Sequence, residues 1–360
     1  MKKHAIIPIF IPHRGCPNDC VFCNQRTITA RSGDVSADDV RHIADQWLTT
    51  LTAPRPDVLE MAFFGGSFTG IPIEQQNEYL SVAYDYKKRG LIDRIHMSTR
   101  PDYIDERILA NLQDWSVDVI ELGVQSFDEN VLEASKRGHS VDAVYRACSL
   151  IMDHGFELGI QLMVGLPHDS REKDIFSAKE TVKIGPSIAR IYPTVVLENT
   201  ELADMYRSSA YRPLTEEEAV SITADMYRIL DSAGINIIRV GLKSTDLINE
   251  DSDLGGGYHP AFRQLVEGRL AREDMEKLLR SAEVRLQNDT CDHSLPADLT
   301  FYSSSRSFSS MIGHHACNKK HFAAELIKDR SLKIRYEIDK TLSDGTYAIS
   351  IAGGPHIMLK

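Results

Sequence analysis

The sequence predicts an α/β fold, a partial or full (β/α) barrel with a small α+β region appended at its C-terminal end. Three observations carry this expectation. Short apolar runs alternate with amphipathic stretches through roughly the first 245 residues, several of those stretches open on helix-capping residues, and beyond 245 the alternation stops. Regular strand–helix alternation favours a parallel sheet, because parallel neighbours need a crossover connection and a helix supplies one.

The elements follow in order. Strands are expected at 6–10, 59–64, 94–98, 118–123, 157–164, 189–195 and 235–240. Between them the 3.6-residue period predicts helices at about 37–52, 74–88, 103–114, 128–137, 141–155, 170–184 and 216–233. Ser36 stands three residues before Asp39, and Thr215 three before Glu218, the pattern of a capping box. Asp128 and Ser140 occupy N-cap positions. These six or so units make up an expected barrel domain of residues 1–245. After it comes NEDSDLGGGYHP, a loop-like stretch of glycines and proline, then a helix near 271–287 and a Ser-rich segment. Strands at 332–338 and 346–351, joined through Asp344 and Gly345 as a hairpin, complete an expected C-terminal region of 246–360 that caps the substrate side.

Composition narrows the class. Of the 360 residues, 42% are hydrophobic, enough for a proper core and incompatible with wholesale disorder. No apolar run reaches membrane-spanning length, and MKKHAIIPIFIPHRG turns polar too soon for a secretory signal, so a cytoplasmic protein without a membrane anchor is expected. The net charge of −11 argues against coating nucleic acid by bulk charge. Residues 301–360 nevertheless carry nine Lys or Arg against five Asp or Glu.

Three of the six cysteines crowd into HRGCPNDCVFCN, as Cys16, Cys20 and Cys23, while Cys148, Cys291 and Cys317 are scattered. A tight group in a cytosolic chain reads as metal binding. Three thiolates can hold three irons of a cubane cluster and leave the fourth iron open to an outside ligand. Gly15, Pro17 and Asn18 favour a loop able to wrap such a cluster. Two other readings compete: a zinc site completed by His13, or a four-cysteine cluster, for which Cys148 is remote.

The Cys-x3-Cys-x-aromatic-Cys pattern, following a first strand, resembles the signature of the radical S-adenosylmethionine superfamily. That resemblance implies a 4Fe–4S cluster on Cys16, Cys20 and Cys23, with Phe22 packing near the adenine of S-adenosylmethionine. It implies one-electron cleavage of the sulfonium to methionine and a 5′-deoxyadenosyl radical, with the electron supplied by a flavodoxin or ferredoxin. Within AFFGGSFTG, Gly65 and Gly66 resemble the family's Gly-Gly-Glu motif, with Ser67 where many members carry Glu. Arg100, in STRPDY at the end of the third strand, is a candidate for an anion.

ELGVQSFD and KRGHS resemble the oxygen-independent coproporphyrinogen oxidase and the radical domain of the Elongator catalytic subunit. By that resemblance Gln125 contacts the cofactor ribose and Arg137 pairs with its carboxylate, for which a guanidinium fork is suited. Gln161, in IQLMVGLP, is placed near the ribose in the same way. RIYPTVVLENTEL and YRPLTEEEAV extend the Elongator-like resemblance over roughly residues 5–245. No counterpart of that family's acetyltransferase domain is expected.

For the substrate, the resemblance implies tRNA and a wobble-uridine substituent. The acidic charge favours a rival substrate, a small molecule or cofactor precursor. Tyr192 and His259 are the candidate catalytic residues. A non-catalytic cluster protein for electron transfer would show a fourth ligand and a degraded cofactor pocket, whereas Gly65, Gly66, Gln125 and Arg137 are all present.

Overall fold

Seven parallel strands form one open sheet, in the order β1-β2-β3-β4-β5-β6-β8. The structure is a computed structural model that describes residues 4–11, 20–23, 35–51, 55–242, 253–256, 258–289, 298–326 and 333–359. Contacts divide the chain into two units, Met1–Pro260 and Ala261–Lys360.

The first unit runs β1 (His4–Ile11), α1 (Ala37–Leu51), β2 (Val58–Gly65), α2 (Ile73–Lys88), β3 (Arg94–Thr99), α3 (Glu106–Asp114), β4 (Val119–Gln125), α4 (Glu129–Ala134) and α5 (Val141–Asp153). It continues with β5 (Glu157–Val164), α6 (Arg171–Ile184), β6 (Ile188–Pro193), β7 (Val196–Leu197), α7 (Glu201–Arg207), α8 (Glu216–Ser232), β8 (Asn236–Val240) and β9 (Asp253–Gly255). β1 and β8 are the two edges, so the barrel is partial. The expected caps form: Thr215 and Glu218 close a reciprocal capping box on α8, and Asp128 and Ser140 cap α4 and α5. Ser36 and Asp39 likewise exchange hydrogen bonds of 2.8 and 3.1 Å ahead of α1.

Strand alternation sorts the side chains onto two faces. Ile7, Met61, Ile95, Leu122, Ile160 and Ile191 are fully buried on one of them. The alternate positions of the middle strands carry Glu60, His96, Glu121 and Arg190, also buried. A parallel sheet ordinarily reads as a near-continuous apolar run; this one seats four buried charged side chains on its inner wall.

A second buried acidic feature lies where β5 passes into α6. Asp169 and Asp174 have one carboxyl oxygen each without an ordinary donor, and Asp174 is 2% exposed. Burial, and the neighbouring carboxylate, hold Asp174 well above the usual carboxylate range, and burial raises Asp169 too. A proton shared between the two explains both. A raised folded pKa gives stability that is complete at low pH and lost as pH rises through it. Asp174→Asn supplies a permanent donor instead. It is expected to match the parent near pH 4 and to exceed it by about 1 kcal/mol above the raised pKa, as read from urea midpoints across pH 4–9.

The second unit contains α9 (Phe262–Asp289), β10 (Asp298–Ser303), α10 (Phe308–Ile312), α11 (Cys317–Leu326), β11 (Lys333–Ile338), β12 (Tyr347–Ile351) and β13 (Ile357–Met358). Its sheet order is β11-β10-β12-β13. The hairpin expected through Asp344 and Gly345 is therefore absent, because β10 inserts between the two strands, parallel to β11 and antiparallel to β12. Central burial explains the insertion: Phe301 of β10 is fully buried, its ring 5.1 Å from that of Phe322. The helix expected at 271–287 begins earlier, at Phe262, and accommodates Gly268 mid-helix. Asn318 Nδ2 donates to the Gly268 carbonyl at 2.8 Å, and a Cβ on Gly268 would stand 3.7 Å from the Gly313 Cα. Among the described residues no helix is long and apolar enough to cross a membrane.

Candidate functional site

The carboxyl ends of the parallel strands are where an open α/β sheet gathers its working residues. Of the three clustered cysteines, Cys20 and Cys23 fall there in a tight turn, the Cys23 N–H donating to the Cys20 carbonyl at 2.9 Å. Cys16 lies outside the described residues. The backbone of Val21 is held from two sides: its N–H donates to Ser135 at 3.2 Å and its carbonyl accepts from Leu202 at 2.8 Å. Val21 packs with Val196, Leu202, Ala203 and Tyr211, and Phe22 leans on the same cluster. Cys148 is buried on α5 with its thiol pushed up to about 12 by burial. Cys317 belongs to the second unit. Among the described residues no group of three or more His, Cys, Asp or Glu is placed to hold a metal ion.

Arg137 ties this turn to the sheet. Its Nη1 donates to the Cys20 sulfur at 3.2 Å and its Nη2 to the Gly123 carbonyl at 2.5 Å. Arg100 braces Arg137 from behind, bonding its carbonyl at 2.5 Å while pairing with Asp102 at 2.9 and 3.0 Å. The guanidinium of Arg100 is thus turned toward protein partners. Beside Arg137 the backbone of Gln125 takes φ 72°, a left-handed value unusual for a residue with a side chain. The β4–β5 register slips by one at that point. The Gln125 side chain is buried and its Oε1 has no donor among the described residues. An orphaned buried acceptor on a strained backbone is costly unless a ligand completes it.

Gly65 supplies the close approach that its motif predicts. Its φ is +115°, and a Cβ there would lie 2.3 Å from the Ile11 carbonyl oxygen. That same oxygen accepts from the Gly66 N–H at 3.1 Å, locking the ends of β1 and β2 together. Ser67 is buried and opens the short 3-10 turn Phe68–Gly70. Ile11, Phe64, Gly66, Ser67 and Ser98 line a small cleft.

Gln161 and Tyr192 belong to a different layer. Gln161 donates to Glu121 at 3.1 Å, and the Tyr192 hydroxyl accepts from Arg190 at 3.4 Å. His259 is half-buried next to Tyr258, which packs with Val195 and Leu197. The structure therefore joins Cys20, Gly123, Gln125, Arg137 and Arg100. It sets Gln161 and Tyr192 on the inner wall and places His259 beyond β9.

That inner wall holds residues that the sequence motifs do not reveal. His96 Nδ1 is 3.0 Å from Glu60, and its Nε2 is 3.1 Å from Glu121. Glu121 receives Arg190 through Nε at 2.7 Å and Nη2 at 2.6 Å. Arg94 joins Glu60 at 3.3 Å and pairs with Glu157. The Arg190 guanidinium lies 4.8 Å above the Phe64 ring. Burial alone would raise Glu121, but the Arg190 charge and His96 hold it near 2. Glu60 is likewise held near 2, with burial outweighed by His4 and His96. Burial opposes a charge on His96, yet its two carboxylate neighbours raise its pKa. Gly159 makes room for this array, since a Cβ there would stand 2.5 Å from Glu121 Cγ. One sequence signal exists: VLEMAFFG, RIHMST, VIELGVQ and IARIYP each seat a charge within an apolar strand.

These residues fit a cluster-and-nucleoside cofactor on three observations: a guanidinium donating to a clustered cysteine, an orphaned amide oxygen beside it, and a glycine cradle closed to any Cβ.

Comparison with known proteins agrees. Residues 10–177 match the Radical SAM superfamily and residues 186–272 the Radical_SAM C-terminal domain. The chain is 31% identical over 186 residues to a tRNA uridine(34) acetyltransferase of Methanocaldococcus infernus, covering 46% of this chain and 35% of that protein. It is 24% identical over 286 residues to the same-named protein of Dehalococcoides mccartyi, covering 71% and 62%. To Elongator complex protein 3 of Homo sapiens it is 29% identical over 188 residues, covering 47% and 34%. The chain thus spans between a third and two thirds of these relatives. In fold it is similar to the archaeal Methanocaldococcus infernus Elp3 with an N-terminal deletion, with a TM-score of 0.60, 22% identity, and coverage of 76% and 64%.

Proposed function

Because this chain belongs to the radical SAM superfamily, we propose that it is an S-adenosylmethionine-dependent radical enzyme acting on a uridine of tRNA. The observation that carries the first half is Arg137, whose guanidinium touches the Cys20 sulfur next to the orphaned Gln125 oxygen. The second half is supported by the relatives, whose names specify tRNA uridine(34).

Cys16, Cys20 and Cys23 would hold the 4Fe–4S cluster. Once bound, the cluster and S-adenosylmethionine supply a carbon-centred radical able to take a hydrogen atom from an unactivated C–H bond. The chain's own residues bind and orient. Arg137, which donates to the Cys20 sulfur and the Gly123 carbonyl, would also bring its charge to a carboxylate, with Arg100 fixing its backbone. Gln125 Oε1 accepts from a ribose hydroxyl. The cradle of Gly65 and Gly66, with Ser67 behind it, admits the amino-acid end of the cofactor. By the family resemblance Gln161 would approach the ribose from β5, where it now donates to Glu121, and Phe22 would close the apolar side. Tyr192 and His259 are the candidates for contact with the substrate. The electron would come from a flavodoxin or ferredoxin, in a cytoplasmic setting.

The acidic charge of −11 favours a second reading, a small-molecule or cofactor-precursor substrate. Anaerobic incubation of the reconstituted protein with dithionite and S-adenosylmethionine separates the two. 5′-Deoxyadenosine is expected in both the presence and absence of tRNA, at a higher rate when bulk tRNA is added. Its absence from both arms overturns the enzyme assignment. An unchanged rate, without a salt-dependent gel shift, assigns the smaller substrate.

A further inference from the structure

Among the described residues of the inner wall, every cationic side chain but one has a carboxylate within reach. Glu60, Glu121 and Glu157 neutralise Arg94, His96 and Arg190 through the contacts described above. Among the described residues Arg239 has no carboxylate partner. Its Nε donates to the Gly241 carbonyl at 3.3 Å, which tethers the stem, and neither Nη has an acceptor among the described residues.

Its placement comes from a register shift. Ala189 pairs with Ile237 and Arg190 with Arg239, so the ladder skips Ile238. Without the slip, Ile238 would stand opposite Arg190. In-register partners on parallel strands point to one face, and a one-residue slip moves a side chain across the sheet. The bulge therefore aims Arg239 at the face that carries Arg190, replacing an isoleucine with a second cation. Like charges directly opposite each other are destabilising, and Glu121 is already spent on Arg190 and His96.

The neighbours are polar. Gln161 pairs in register with Arg190, and Tyr192 lies two residues on. Burial raises the Tyr192 pKa, and the charges of Arg190 and Arg239 pull against that rise, so Arg239 stands within electrostatic reach of the phenol. A half-buried fork, tethered at Nε on the sheet face that also carries a phenolic hydroxyl, has the donor chemistry of an oxyanion receptor.

We propose that Arg239, with the Tyr192 hydroxyl on the same sheet face, binds a carboxylate or phosphate oxyanion of the substrate. This rests on the reading of the site in which Arg137, bonded to β4 in the middle of the sheet, serves the cofactor. The anion is what restores charge balance to the wall, and it fixes the reacting end of the substrate against β6 and β8.

The test uses the reconstituted holoenzyme with S-adenosylmethionine bound, kept anaerobic. Thermal midpoints are recorded against potassium phosphate, potassium acetate and, for ionic strength, potassium chloride. The parent protein is expected to show a saturable rise with phosphate or acetate beyond that with chloride, and the stronger of the two names the anion. In Arg239→Gln the half-saturation is expected to weaken about tenfold or more, with Arg239→Lys intermediate and cofactor affinity unchanged. Equal rises in parent and Arg239→Gln overturn the proposal, as does no rise in the parent. Weakened S-adenosylmethionine binding in Arg239→Gln also overturns it, by assigning the guanidinium to the cofactor. Failure of the parent to form 5′-deoxyadenosine would refute the enzymatic reading while leaving the anion titration to be judged separately.

Discussion

Cys20→Ala is expected to reduce 5′-deoxyadenosine formation to the level of protein-free controls, with loss of the iron–sulfur absorbance. A cubane held by three thiolates has no spare ligand, and Cys148 cannot substitute, being buried on α5 with its thiol pushed up to about 12. The fold is expected to survive. Cys20 is 4% exposed, but deleting one sulfur from a loop costs about 1 kcal/mol. Arg137, which loses its sulfur acceptor, keeps the Gly123 carbonyl. Far-ultraviolet circular dichroism and the urea midpoint of the metal-free protein check the fold, while anaerobic turnover checks the chemistry. Turnover by the variant would show that this cysteine is not a cluster ligand.

The largest effect on stability is expected at Glu121. Glu121→Leu strands the buried Arg190 guanidinium and removes one of the two carboxylates beside His96. Breaking a buried pair from one side costs about 3–5 kcal/mol, enough to unfold a marginal domain. Glu121→Gln, nearly isosteric, is expected to lose less. The parent should also carry a pH signature. Glu121 and Glu60 are both held near 2 against an ordinary 4.5, so their contribution is complete above about 4.5 and disappears as pH falls toward 2. His96 is raised above its ordinary 6.5, so its contribution is complete below 6.5 and is lost as pH rises through the raised value. The array is therefore most stabilising between about pH 4.5 and 6.5. Urea midpoints of parent and Glu121→Gln across pH 3–9 should differ most inside that window, converge as pH falls toward 2, and narrow above it without vanishing, because Glu121 still pairs with Arg190 there. A constant difference across the range would show that this carboxylate is not tied to the titration of His96.

Local chemistry made much of the barrel legible. Each strand of the seven-stranded sheet was foreshadowed by a branched or aromatic run, and 157–164 coincides with β5 in the structure. Caps such as Thr215 and Ser140 declared the helix starts because they satisfy orphan N–H groups within one turn. The C-terminal unit was harder. The segment Asp298–Ser303 gave β10 no clear edge, and which strand sits between which depends on long-range burial of Phe301.

At the site, Gly65, Gln125 and Arg137 stood out because their neighbours in sequence form motifs. Glu60, His96, Glu121 and Arg190 did not, since they come from four strands separated by tens of residues and meet only through sheet register. Arg239 shows the limit most clearly. Strict alternation through Asn236–Val240 aims it away from Arg190, and only the slip in pairing turns it back.

The two backbone hydrogen bonds that grip Val21 have a consequence for cluster assembly. Ser135 and Leu202 fix the chain between Cys20 and Cys23 through protein–protein bonds alone. On the proposed reading, iron arriving at this turn would meet Cys20 and Cys23 on a backbone already fixed by the fold, so little ordering entropy would remain to be offset at these two ligands. A cluster lost from the site would thus leave the Cys20–Cys23 turn standing as a template on which it could be rebuilt.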